Sequence, residues 1–270
     1  MNSMTHIQPK HEKTALITGA SGGIGYELSK LFARDGYRLV LIARNSASLD
    51  RVALELKELH GAPSTIVAED LSRPAAAEDI FAQLQRAGIT VDVLVNNAGF
   101  GSYGFFSESN LATEREIVTL NITSLISLTR LFLPPMIGNH RGRVLNVAST
   151  AAFQPGPLMA VYYASKAFVL SFSEALANEL RGSGVTVTAL CPGPTDTGFQ
   201  ARAGTADTRL FDRRMTMDAA RVAAIGYKGL MTGKGIVIPG FKNKLLAQSV
   251  RVAPRVLATS VARFIQERKE

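Results

Sequence analysis

The run Thr14-Ala-Leu-Ile-Thr18, followed at once by Gly-Ala-Ser-Gly-Gly-Ile-Gly25, constrains this chain more than any other stretch. A short apolar run bounded by glycines reads as a buried strand, and Leu28, Leu31 and Phe32 beyond it mark one side of an amphipathic helix. A strand that turns through glycines directly into a helix opens a βαβ unit. It also leaves backbone N–H groups at the helix start free to receive a phosphate. Gly19, Gly23 and Gly25 follow the spacing G-x-x-x-G-x-G rather than G-x-G-x-x-G, so the turn alone does not name a nucleotide.

The alternation continues down the chain. Strand candidates are Thr14–Thr18, Arg38–Ala43, Ser64–Ala68, Val91–Asn96, Arg143–Val147, Thr186–Cys191 and Gly235–Ile238, with amphipathic helices between them. This pattern predicts a doubly wound α/β fold around a parallel sheet. A chain of 270 residues that is 46% hydrophobic fills one substantial core, so a single domain is expected. Pro74 is read at a first-turn helix position and Gly61 just past the helix ending near His60.

In Val161-Tyr-Tyr-Ala-Ser-Lys166, four-residue spacing stacks Tyr162 and Lys166 on one helical face. An ammonium there stabilises a phenolate and lowers a phenol pKa from its usual value near ~10. The same spacing occurs on many solvated faces, and Ser149 makes the difference. It ends the apolar run Arg143–Ala148, which places a hydroxyl at the C-terminal edge of the sheet, where open α/β folds bind ligands.

The glycine turn, Ser149, Tyr162 and Lys166 together resemble the short-chain dehydrogenase/reductase family. The resemblance runs from about Lys13 to Pro239. It takes in Asp70 after the third strand, Asn96-Asn-Ala-Gly99 after the fourth, Asn121 in a long helix and Pro192-Gly-Pro-Thr-Asp-Thr197 after the sixth. It implies a seven-stranded Rossmann fold and an enzyme that interconverts carbonyl and alcohol. By that resemblance Tyr162 donates a proton to the carbonyl oxygen as hydride leaves the nicotinamide, and Ser149 holds that oxygen. Lys166 lowers the Tyr162 pKa and binds the nicotinamide ribose, while Asn121 positions a water that relays protons to Lys166.

For the dinucleotide, the resemblance implies that Gly19, Ser21, Gly23, Ile24 and Gly25 form the pyrophosphate turn. Asp70 and Leu71 meet the adenine, and Asn97, Ala98 and Gly99 pack on the adenosine ribose. Pro192 and Gly193 shape the turn beside the nicotinamide. Thr195 or Thr197 bonds the carboxamide or pyrophosphate, and Thr197 completes the pattern P-G-x-x-x-T. Tyr163 lies about 100° further around its helix than Tyr162, which suits packing or pocket lining instead.

About twenty residues beyond Gly25, NAD-selective sites place an acid for the ribose hydroxyls. This chain has Arg44 there, a partner for a 2′-phosphate, so NADP(H) is the expected cofactor. An arginine that merely solvates a loop is the alternative. The segments expected around the substrate are Gly99–Phe106 and Ala151–Met159, which are rich in Phe, Pro, Leu and Met and hold no Lys or Arg. They point to a small-molecule apolar ketone, aldehyde or acyl-chain carbonyl, though core packing accounts for the same residues. A carrier-bound 3-oxoacyl reductase is the competing enzyme. A non-catalytic dinucleotide sensor is the competitor from another class, and the intact Ser149, Tyr162 and Lys166 oppose it. Sugar-nucleotide epimerases share the Tyr-Lys pair, but not this glycine turn.

The expected organisation is a flexible leader over 1–12, a dinucleotide-binding catalytic domain over 13–240 and a basic amphipathic helical extension over 241–270. Residues 193–216 have few apolar side chains, and the resemblance implies a mobile lid there. It also implies a homodimer or homotetramer, with helices near Asn110–Phe132 and Met159–Arg181 against a neighbour.

The net charge of +8 is concentrated late: residues 234–270 hold eight basic side chains against two acidic ones. No aromatic-interleaved basic motif accompanies them, so no nucleic-acid partner is expected. The four histidines lie at no metal-ligand spacing, so no metal is expected, and the lone Cys191 excludes an internal disulfide and reads as a small buried residue. No apolar run of roughly 18 residues is evident and Met1–Lys10 lacks a signal core, which predicts a cytoplasmic protein. In the extension Leu245, Leu246, Ser249, Val250 and Ala253 share a helical face, and past Pro254 so do Leu257, Val261, Phe264 and Ile265. Such faces ordinarily cover a pocket or subunit interface; with this charge, peripheral contact with an anionic membrane is the less ordinary reading.

Overall fold

The computed structural model describes residues 13–267 apart from 206 and 210–215, so the expected leader and part of the expected lid lie outside the described residues. Strand β1 (Thr14–Thr18) is buried at every position, as happens when helices cover both faces of a parallel sheet. It pairs in parallel with β2 (Arg38–Ala43) and β4 (Val93–Asn96). Adding β3 (Ser64–Ala68), β5 (Gly142–Val147), β6 (Val185–Leu190) and a two-residue β9 (Ile236–Val237) gives a seven-stranded sheet in the order β3-β2-β1-β4-β5-β6-β9. The order reverses between β1 and β4, and that switch point opens the crevice in which this architecture holds ligands.

The pleat divides the core into two layers. Ala15 and Ile17 face α1 (Gly23–Arg34), α2 (Ser46–His60) and α8 (Ala219–Met231), through Leu28, Phe32, Leu49, Leu56 and Leu230. Leu16 faces the opposite way, into a layer with Ile80 of α3 (Ala76–Arg86), Phe132 of α5 (Ser124–Gly138) and Leu176 of α6 (Ala160–Glu179). Each such fully buried Leu, Ile or Phe contributes about 1.5–3 kcal/mol.

Three local expectations change. Pro74 is not in the first turn of a helix: hydrogen bonds from Arg73 N–H to Asp70 and from Ala76 N–H to Arg73 close turns first, and α3 starts at Ala76 behind Ala75 at φ 62°. The fourth strand starts at Val93 rather than Val91, and the Asp92 carboxylate just before it accepts from Thr14 N–H at 2.9 Å and pairs with Arg141 at 2.7 Å. Finally, α4 (Leu111–Val118), a π turn over Thr119–Thr123 and α5 run on as one helix, Leu111–Gly138, with an 18-residue window of mean hydropathy 1.5. By length and composition alone it is a candidate to cross a membrane, contrary to expectation. Here its Leu125, Leu128, Phe132 and Met136 are buried in the core.

Gly61 ends α2 in the left-handed region at φ 63°, as expected. Near the start of the expected lid, β7 (Thr195–Asp196) pairs with β8 (Met217–Asp218), which begins just past the lid's expected end, and helix α7 (Phe199–Ala203) follows β7. The extension forms α9 (Phe241–Val252) and α10 (Arg255–Gln266), divided at Pro254.

Candidate active site

Strand β1 delivers the chain into the turn at Gly19, which has φ 66°, and Gly23, at φ 55°, starts α1. The close approach explains the glycines: a Cβ on Gly25 would strike the Gly19 carbonyl oxygen, and one on Gly19 would lie 2.7 Å from Asn97 Nδ2. No side chain caps α1 at Gly22. Its first N–H groups and dipole therefore face the crevice, a fit for a pyrophosphate. Asn97 braces this turn from β4, where its Nδ2 donates to the Thr18 carbonyl at 2.9 Å. The N–H groups of Asn97 and Ala98 each donate to Thr18 Oγ1 at 2.9 Å.

The crevice is a cleft of about 460 Å³. Gly19, Ser21, Gly23, Ile24, Arg44, Asp70, Leu71, Asn97 and Ala98 line it toward the glycine turn, and Ser149, Tyr162, Lys166, Pro192, Gly193 and Thr195 toward the reactive end, with Gly99 beside Lys166 and Thr197 against Gly23. Two expected residues do not line it. Gly25 packs against Gly19 beneath the turn, and Asn121 is buried behind the wall.

Helix α6 and strand β5 assemble the reactive end. Lys166 is buried and its Nζ donates to the Val147 carbonyl at 2.8 Å, while lying 5.8 Å from the Tyr162 ring centre. Burial lowers its pKa to about 8. Tyr162 is buried as well, among Ala151, Met159 and Tyr163, with Phe199 of α7 5.1 Å away between ring centres. Its pKa does not fall as the Tyr-Lys spacing led us to expect. Burial pushes it up to about 12, against a downward pull from the Ser149 hydroxyl. Desolvation of the phenolate outweighs the Ser149 hydrogen bond. Ser149 accepts from Ala151 N–H at 3.1 Å and reaches the Pro192 carbonyl at 3.4 Å, which orients its hydroxyl toward the cleft turn.

Asn121 sits in the π turn, a local widening often found at functional positions. Its Oδ1 accepts from Phe100 N–H at 3.1 Å, and its Nδ2 donates to the Phe100 carbonyl and to Ser165 Oγ at 3.0 Å each. The side chain thus joins the loop after β4 to α6, beside Gly99 and Lys166. A parallel chain of buried amides runs across the sheet: Asn96 Nδ2 donates to Asn146 Oδ1 at 2.9 Å, and Asn146 Nδ2 to Ser173 Oγ at 2.9 Å.

At the other end Arg44 closes β2, and Asn45 beside it caps α2 by accepting from Ser48 N–H at 2.8 Å. The Asp70 carboxylate is occupied by Ser72: burial raises its pKa, yet the Ser72 N–H and hydroxyl bonds, at 2.9 and 2.7 Å, bring it below the usual value. Thr197 leans on the glycine turn, its Cγ2 3.0 Å from where a Gly23 Cβ would be, whereas Thr195 donates to the Gly193 carbonyl at 2.9 Å. Tyr163 lines the cleft and packs on Gly156, as expected of it. Cys191 is buried, which pushes its thiol up to about 12.

Arg202 was missed. From α7 it stacks 4.2 Å over the Phe100 ring, pairs with Glu116 at 3.5 Å and faces the cleft. Burial and the like charge of Arg44 lower its pKa. Its only sequence signal is that it is the sole cation between Gly193 and Gly204. Asn243 of α9, which covers Gly193, had no local signal. In the opposite direction, Phe105 and Phe106 are exposed rather than in the cleft, because the loop after Gly99 turns outward past Gly104.

The glycine turn, the uncapped helix start and the switch-point cleft define a class, the dinucleotide-binding α/β proteins. The family model described as short chain dehydrogenase matches residues 13–208. The chain belongs to the short-chain dehydrogenase family. It is 39% identical over 183 residues to mouse 17-beta-hydroxysteroid dehydrogenase type 3, covering 66% of this chain and 58% of that protein's length. It is 31% identical over 235 residues to the ketoacyl reductase HetN of Nostoc, covering 86% of this chain and 76% of the relative. A short-chain dehydrogenase from Sphingobium yanoikuyae in complex with NADPH superposes with a TM-score of 0.80 at 32% identity, covering 91% of this chain and 94% of that one. Structural neighbours include an NAD complex as well.

Proposed function

We propose that this protein reduces an apolar ketone, aldehyde or acyl carbonyl with NADPH, and catalyses the reverse oxidation. One observation carries the reading: Ser149, Tyr162 and Lys166 converge at one end of a cleft whose other end holds Arg44 and the open start of α1. When bound, the dinucleotide supplies the hydride. Tyr162, protonated at neutral pH, donates to the carbonyl oxygen while Ser149 holds that oxygen by a hydrogen bond. Lys166, fastened to β5, presents its charge behind Tyr162. Arg44, with Arg202 in the same field, suits the 2′-phosphate that separates NADPH from NADH.

The apolar character of the substrate rests on the walls. Met159, Tyr163 and Phe199 flank Tyr162. Tyr163 also borders a second groove of about 710 Å³, lined by Phe153, Pro155, Pro157, Ala164 and Val250. This space suits an extended chain or ring system, and the likeness to a ketoacyl reductase favours a 3-oxoacyl thioester as the specific alternative. Ketones, aldehydes and 3-oxoacyl thioesters presented with NADPH should separate these by turnover. Tight NADPH binding with no turnover of any carbonyl class would overturn the proposal.

A further inference from the structure

The two C-terminal helices are turned the wrong way round for a structural cover. In α10 the residues buried against the body include the small Ala258 and Ala262, while Leu257, Val261 and Phe264, three and four residues apart on one face, point outward. In α9 only Ala247 among the apolar residues is buried; Phe241 and Val252 are 81% and 86% exposed, with Leu245 on the same side. Of the face expected over Leu245–Ala253, only Val250 and Ala253 turn inward, to the groove beside Tyr163. A helix whose task is to close a core directs its large apolar side chains inward. Exposed apolar stripes of this kind on two consecutive helices point to an interaction surface.

Charge decides among the occupants. From Phe241 to Gln266 the sequence holds Lys242, Lys244, Arg251, Arg255 and Arg263 and no acid, and of these Arg263 pairs with Glu267, the residue just past this span, at 3.2 Å. Lys242, Lys244 and Arg255 are exposed beside the apolar stripes. A second copy of the chain docked on this face about a twofold axis would bring cations onto cations. An anionic lipid surface satisfies both features at once, with phosphates for the cations and the acyl boundary for Phe241, Leu245, Val252, Leu257 and Val261.

We propose that α9 and α10 together form a peripheral docking face for an anionic membrane. The inference does not depend on the substrate or on the proposed reaction. The test is co-sedimentation of the full chain with phosphatidylcholine vesicles, alone and with about one-third phosphatidylserine, at low and physiological salt. Pelleting should be at least about tenfold stronger on the anionic vesicles and weaken with salt. Leu257→Glu with Val261→Glu should abolish it while leaving carbonyl turnover unchanged and the fold intact, because Leu257 and Val261 are 56% and 48% exposed. Lys242→Glu with Lys244→Glu should abolish the preference for anionic lipid. Equal or absent pelleting on the two vesicle types would overturn the proposal. So would loss of a dimer, rather than of vesicle binding, in the Leu257→Glu, Val261→Glu protein, which would assign the face to a second copy. An active enzyme that ignores vesicles fails this inference alone.

Discussion

Lys166 Nζ donates to the carbonyl oxygen of Val147 at 2.8 Å, so the cation behind Tyr162 is fastened to the last residue of β5, two positions before Ser149. The two halves of the reactive end are thereby set by one contact between α6 and β5.

Tyr162→Phe should remove nearly all carbonyl turnover, about 10²–10⁴-fold, and leave NADPH binding close to intact, because it deletes a proton donor and little contact area. Steady-state kinetics on an active carbonyl and cofactor fluorescence titration measure the two quantities. Retention of more than about a tenth of the activity would remove Tyr162 from the role of acid.

Arg44 at the end of β2 should give a preference for NADPH over NADH, and Arg44→Asp should reverse or abolish it by placing an acid against the 2′-phosphate. Titration of both cofactors against both proteins decides the matter. Equal affinities in the unaltered protein would contradict the assignment.

Lys166 titrates near 8 in the folded protein against an ordinary 10.5. In that window the unfolded chain binds more protons, so this residue makes stability rise with pH there, and its penalty of roughly 3 kcal/mol is complete below the folded value. Denaturation of the parent and of Lys166→Met should therefore show a stability difference that shifts in the parent's favour from pH 8 to 10.5. The upward shift of Tyr162 operates in both proteins. A difference that stays flat across the window would show that Lys166 is not desolvated.

Ala164→Trp should fill the groove that Tyr163 shares with the cleft. Turnover of long or multi-ring carbonyl substrates should fall about tenfold, with small ketones spared, a split of the size that pocket sterics supply. An equal loss on both would place the groove outside the substrate path.

The turn from Gly19 to Gly25, the succession of strands and helices along the chain and the Tyr162–Lys166 pair were legible in the sequence because each is a matter of local spacing. Periodicity of two or 3.6 residues says which side chains share a face, and glycines announce where a backbone must pass close. Tertiary structure alone decided the rest. The Asn121 side chain is bound to Phe100 and Ser165, partners 21 and 44 positions away. Arg202 reaches the cleft by folding α7 back over Phe100. Spacing gave Tyr162 a neighbouring cation, but its pKa follows from how much water the assembled walls exclude, and that reverses the expected direction. The C-terminal stripes were equally visible in the sequence, which marked them as apolar without saying what they face. Which side of a helix meets the body depends on the surface it docks against, and here the body accepts Ala258 and Ala262 and leaves Leu257 and Val261 outside.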